Sequence, residues 1–253
     1  MTTDRNDGDL TPVADCRFCR YKTDLLLSGR CVPGDICIAA HSGRQIDRFL
    51  RINPHLAIYY LQDSFWERRA IAVRYAPLEA LDKLIRDPDE AVRRAVAYRL
   101  PREKLLALVE DEDREVRITV ADRIPPEHLE KLADDPDYLV RAYVTQRLPQ
   151  GRLFRMIRDP DRQVRKLVAR RLPEVSLGLM MNDPEAEVRR IVADRLEGDA
   201  VVPMLKDDDW TVRLAAAMDA PLEALEALRD DPDPEVRDLV ATRLKDAGEK
   251  GSD

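Results

Sequence analysis

Apolar residues return along this chain at helical intervals. Between Asp87 and Pro101, Val92, Val96 and Leu100 stand at i, i+4 and i+8, one apolar stripe with charged residues between. Asp87 is expected to cap the start of this helix, and Pro88 suits its first turn because it lacks a donor. Asp89 adds favourable negative charge there, and Pro101 stops the helix. A second, shorter helical element follows, carrying Leu105 and Leu108. It has room for two turns at most, and its three-residue spacing fits a 3₁₀ coil as well as a short α-turn.

This unit is repeated. Val-Arg pairs stand at Val92-Arg93, Val116-Arg117, Val140-Arg141, Val164-Arg165, Val188-Arg189, Val212-Arg213 and Val236-Arg237, with a step of 24 residues throughout. One period earlier, Arg68-Arg69 is a degenerate copy that keeps Asp63 and Pro77, which makes eight copies. A single copy cannot bury both of its stripes, so the copies must stack on one another. The pattern therefore predicts an all-α solenoid. No copy shows the period-two alternation of a strand.

The repeated charges read as structural. Each arginine of the ladder Arg93, Arg117, Arg141, Arg165, Arg189, Arg213 and Arg237 follows an acid by four residues, the order that supports a helix. A second column, including Arg99, Arg123, Arg171, Arg195 and Arg243, falls near the helix end, where positive charge suits the dipole. Trp66, Tyr138 and Trp210 share one repeat phase and are expected on one face, as aromatic anchors of a binding groove.

Composition narrows the class. Lys and Arg number 42 against 49 Asp and Glu, a formal charge of −7, which disfavours general binding to nucleic acid. No run of about 18 apolar residues exists, so no membrane span is expected. Met1 to Asp9 is polar and acidic and lacks the regions of a secretory signal, so the expected location is the cytoplasm. His41, His55 and His128 form no metal-ligand spacing, and no glycine-rich phosphate loop or nucleophile elbow is present, so the chain is not expected to be an enzyme.

All four cysteines, Cys16, Cys19, Cys31 and Cys37, cluster near the start as C-x2-C-x11-C-x5-C. Two thiolates of a C-x-x-C pair reach one metal from a single turn, and four cysteines with none to spare point to a metal rather than to disulfides. Zinc accepts such a set, but its usual pattern has two close pairs. The opened second pair leans the spacing toward a [4Fe–4S] cluster, with zinc the alternative.

A Cys₄ segment ahead of 24-residue units of the form D-P-D-x-x-V-R-x-x-V-A-x-R-L-P resembles the leucine-rich repeat variant family, from Cys16 to about Leu244. The resemblance implies alternating α- and 3₁₀-helices in a right-handed superhelix, preceded by a small domain whose four cysteines hold a [4Fe–4S] cluster. Three departures, Arg68 for valine, Asp219 for arginine and Glu197 for proline, are expected to loosen packing locally. The expected layout is a flexible tail over 1–14, the cluster domain over 15–52, the repeats over 53–244 and a polar tail over 245–253. The expected function is a scaffold for a protein partner of unknown identity, with the cluster domain as N-terminal cap and redox sensor. The rivals are an electron-transfer protein or redox subunit, and a zinc-capped scaffold.

Overall fold

The computed structural model describes the backbone of residues 11–250 and the side chains of residues 11–247. Of the two expected tails, residues 1–10 and 251–253 lie outside the described ones. The fold is all-α, with no β-strand among the described residues beyond an isolated bridge between Val32 and Ile36. The chain divides into two compact units, Met1–Pro125 and Pro126–Asp253.

In the first unit the cysteine-rich segment leads into α1 (Gly43–Ile52), followed by α2 (Trp66–Tyr75), α3 (Glu90–Arg99) and α4 (Arg114–Arg123). The second unit holds α5 (Tyr138–Arg147), α6 (Arg162–Arg171), α7 (Ala186–Ala193), α8 (Trp210–Asp219), the single turn α9 (Leu222–Leu225) and α10 (Pro234–Lys250). The last helix thus runs on into the polar residues after Leu244. Helices α2 to α8 and α10 begin 24 residues apart, as the repeat requires.

The short elements left open by the sequence are 3₁₀-helices at Arg102–Leu108, Gln150–Met156 and Glu174–Met180 among others, while that of the last copy opens with the α-turn α9 and closes as a 3₁₀ turn, Glu226–Leu228. Geometry explains the choice. Ten α-helical residues rise about 15 Å, and seven 3₁₀ residues rise about 14 Å. A seven-residue return leg in 3₁₀ form therefore matches the length of the helix it follows. Its three-residue turn also buries both Leu105 and Leu108 on one side. Val92, Val96 and Leu100 are fully buried beside them. Leu100, held extended before Pro101, ends α3.

The start of each helix differs from expectation. The cap is Asp89, whose carboxylate accepts from the Ala91 N–H, and the helix begins at Glu90 rather than after Asp87. Asp113, Asp137, Asp161 and Asp209 cap their helices in the same way. Asp87 instead accepts from the Asp89 N–H and faces the preceding copy. Its partner there is Arg69, which donates Nε and Nη2 to the two carboxylate oxygens at 2.9 and 2.8 Å.

The same fork joins Arg93 to Asp111 in the first unit. In the second it joins Arg141 to Asp159, Arg165 to Asp183, Arg189 to Asp207 and Arg213 to Asp231. In these five arginines of the ladder the partner lies 18 residues ahead, in the next copy, rather than four behind. The remaining guanidinium nitrogen turns back to the carbonyl six residues earlier, as from Arg141 to Asp135, Arg117 to Asp111 and Arg237 to Asp231. Each buried fork is bidentate and fully hydrogen-bonded, the condition under which a buried ion pair offsets its desolvation.

The second arginine column also reaches between copies. Arg195 donates to the carbonyls of Ala169 and Leu172, at 2.7 and 2.8 Å, and Arg243 to those of Ala217 and Ala220. These are the open carbonyls at the end of the previous helix, so the charge serves the neighbour's dipole. The departures fall where this lattice thins. Asp219 stands in an arginine position, and α7 stops two residues short of its siblings where Glu197 replaces proline and Gly198 takes φ +57°. Arg68 pairs with Asp63 but leaves its buried Nε without a partner.

Candidate iron–sulfur site

The four cysteines are carried by turns, each with a local cause. Cys16 and Cys19 share one turn, closed by the Cys19 N–H on the Cys16 carbonyl at 3.2 Å. A second turn ends at Gly29, whose φ of +71° is open to glycine, and it delivers Cys31 with its N–H on the Leu25 carbonyl. The five residues between Cys31 and Cys37 form a small hairpin: Val32 and Ile36 exchange both backbone hydrogen bonds at 2.8 Å, around Gly34 at φ +82°. That hairpin is why the second pair is spaced by five. It folds Cys37 back toward Cys31, a closeness that the linear spacing hides.

All four cysteines are free thiols; Cys31 and Cys37 are buried, and Cys16 and Cys19 are half-buried. Burial pushes the Cys31 thiol up to about 11, and the fields of Cys37, Cys19 and Cys16 push the same way. Cys16 is raised by burial first, then by Cys37 and Cys19. The four sulfurs therefore sit within one another's fields, and their joint deprotonation calls for a cationic centre among them. Among the described residues, no group of three or more histidine, cysteine or acidic side chains is closed into a metal-ion site. The donor set itself, four gathered thiols and no disulfide, fits a thiolate-bound iron–sulfur group.

The segment is anchored on α1 and the coil after it. Tyr21 packs on Phe49 with ring centroids 5.4 Å apart and accepts from the Tyr60 hydroxyl at 2.9 Å. Arg20 lies over the rings of Tyr21, Tyr59 and Tyr60 and donates to the Tyr21 hydroxyl. Burial, with the hydrogen bond to Tyr21, raises the Tyr60 phenol far above its ordinary range. Arg30 donates to the Ile52 carbonyl, Asn53 donates back to the Arg30 carbonyl, and the Cys37 N–H meets the Gln45 carbonyl. Arg48 pairs with Asp35. Sequence reading missed these anchoring contacts, since they join residues far apart in the chain, 22 positions for Arg30 and Ile52 and 39 for Tyr21 and Tyr60.

Trp66, Tyr138 and Trp210 each open a helix, α2 in the first unit and α5 and α8 in the second, and all three are partly exposed. Trp66 lines a groove across α1, α2 and α3. No helix among the described residues is long and apolar enough to cross a membrane.

Comparison with known proteins gives these elements their relatives. A family described as the LRV protein FeS4 cluster matches residues 11–58, which hold all four cysteines. The leucine rich repeat variant family matches residues 66–89, 90–113 and 114–137. A solved structure described as a leucine-rich repeat variant with a novel repetitive protein structural motif is 70% identical. It aligns with 92% of this chain and 100% of its own, with a TM-score of 0.89. A curated relative, an uncharacterized 27.7 kDa protein in the nifB 3′ region of Rhodobacter capsulatus, is 39% identical over 87 residues. Those residues are 34% of this chain and 35% of the relative, so the match spans about a third of that protein. By the extent and identity of the structural match and by the agreement of the two motifs, the chain belongs to the leucine-rich repeat variant family, with an iron–sulfur cluster segment ahead of its repeats.

Proposed function

We propose that this protein is a non-enzymatic scaffold for a protein partner, in which Cys16, Cys19, Cys31 and Cys37 hold a [4Fe–4S] cluster that caps the first repeats and reports redox state. The observation that carries it is the fastening of the cysteine-rich segment to α1 and the Pro54–Tyr60 coil, through the Tyr21–Tyr60 hydrogen bond and the Arg30–Ile52 and Asn53–Arg30 contacts. A segment too small for its own core depends on its metal to fold, so what happens at the cysteines reaches the repeats. A thiolate-bound cluster supplies reversible one-electron chemistry when bound. The chain's own residues position the four sulfurs and shield two of them. The exposed aromatics that open α2, α5 and α8 supply contact area for a partner, and the acidic balance of the chain argues against nucleic acid. A cytoplasmic, reducing location suits the four free thiols.

An electron-transfer role is the second reading. It is favoured by the half-buried Cys16 and Cys19 beside the exposed Phe18, which leave one edge of the site near solvent. The test is capture of partners from the native cell, under anaerobic conditions, by the full chain in its oxidised and reduced states. The scaffold reading expects one partner retained in both states with changed affinity. Electron exchange with a redox protein, without a stable complex, would replace it with the second reading.

A further inference from the structure

Across α1, α2 and α3 of the first unit runs a groove of about 600 Å³. Trp66 and Tyr98 line it, with 43% and 60% of their surfaces exposed. Trp66 is held from behind. Phe65 meets it edge-on at 6.1 Å and is itself stacked on His41, centroid to centroid 4.9 Å, so the loop after Cys37 braces this aromatic wall. An aromatic fixed before binding loses little entropy when a partner covers it.

The charges of the groove are unevenly spent. Of its two acids, Asp47 accepts from Arg74 and from the Tyr75 hydroxyl, and Glu67 lies close to Gly43 at the first turn of α1. Arg99 is turned to the carbonyls of Val73 and Ala76. Arg44 and Arg94 are left, both exposed and lining the groove, and no ion pair or hydrogen bond engages either guanidinium. Two free guanidiniums thus share one groove with two exposed aromatics. They complement carboxylates flanking an apolar side chain.

Resting on the scaffold reading, we infer that this groove docks a short acidic segment of the partner protein, its carboxylates on Arg44 and Arg94 and an apolar side chain against Trp66 and Tyr98. Nucleic acid fits less well, because two free cations in a groove that also carries Asp47 and Glu67 neutralise too few phosphates to hold a polyanion.

Fluorescence anisotropy on the anaerobically purified full chain tests this. The probe is a fluorescein-labelled peptide rich in glutamate with one central phenylalanine; its lysine-substituted counterpart and a single-stranded oligonucleotide serve as competitors. The glutamate peptide should bind, weaken with added salt, and resist both competitors. Arg44→Glu and Arg94→Glu together should weaken it at least about tenfold with an unchanged helical circular dichroism spectrum, and Trp66→Phe should weaken it less. Equal binding of the lysine peptide, displacement by the oligonucleotide, or indifference to the charge reversals would overturn the inference. A native partner still captured at full strength by the doubly reversed variant would also overturn it, while leaving the scaffold reading intact.

Discussion

Arg141 grips Asp159 across the boundary between two copies, Nε to Oδ2 at 2.7 Å and Nη2 to Oδ1 at 2.9 Å, while its third nitrogen holds the Asp135 carbonyl at 2.7 Å. One side chain thereby ties the loop before its own helix to the loop before the next. Asp159 completes the link by accepting from the Asp161 N–H at 2.8 Å, so the pair also sets the position of the residue that caps α6.

This division of labour between two nearby aspartates is testable. Asp161→Ala removes only a cap and should cost about 1 kcal/mol. Asp159→Ala strands a buried guanidinium and should cost about 3 kcal/mol or more. Urea unfolding of the two variants checks the order, and equal losses would mean that the inter-copy fork contributes no more than a cap.

The forks also set a pH dependence. The hydrogen bond from Arg213 holds Asp231 below the usual carboxylate range, against the opposing effect of burial. A carboxylate depressed in the folded state contributes stability that is complete above its unfolded value, about 3.9, and is lost as pH falls through the folded value. Urea midpoints should therefore be level from pH 7 to about 5 and fall below about 4. Asp231→Asn should lower the midpoint at neutral pH and flatten that fall. A slope unchanged by the substitution would remove Asp231 from the account.

A weak point can be repaired. Asp219 puts a negative charge in the last turn of α8, where its siblings carry arginine, and α8 has no basic residue there. Asp219→Arg removes an unfavourable charge from the helix end and offers donors to the end of α7. It should stabilise the second unit by about 1 kcal/mol. A lower melting temperature would show that the shortened α7 cannot receive the arginine.

Helices, period and cysteines were legible in the sequence because they are set within one copy. Val92, Val96 and Leu100 declare the stripe, Pro101 its end, and the 24-residue step its repetition. The choice between Asp87 and Asp89 as cap was not legible. Both are aspartates ahead of the same helix, and the decision is made by Arg69, 18 residues before Asp87 in the neighbouring copy. The aromatic anchors Tyr21 and Tyr60 were hidden for the same reason, since nothing in either neighbourhood names the other. The hairpin from Val32 to Ile36 rests on Gly34 and on a bridge of two hydrogen bonds, which spacing between cysteines does not reveal.

Loss of the metal should travel a limited distance. Cys31→Ser removes one of the two buried thiols, and the segment fastened to α1 should then loosen. In repeat proteins stability is mostly a nearest-neighbour property, so amide exchange should rise from Asp63 to about Leu108 while the copies after Asp159 stay protected. Uniform protection would show that the cysteine-rich segment is a tethered module and not a cap.

The central claim, a repeat scaffold built on an iron–sulfur cap, is tested most directly by iron and acid-labile sulfide analysis of protein purified without oxygen. Brown protein with iron and sulfide near about four each per chain, both lost in Cys31→Ser, is the predicted result. Colourless protein holding one zinc and no sulfide would contradict it.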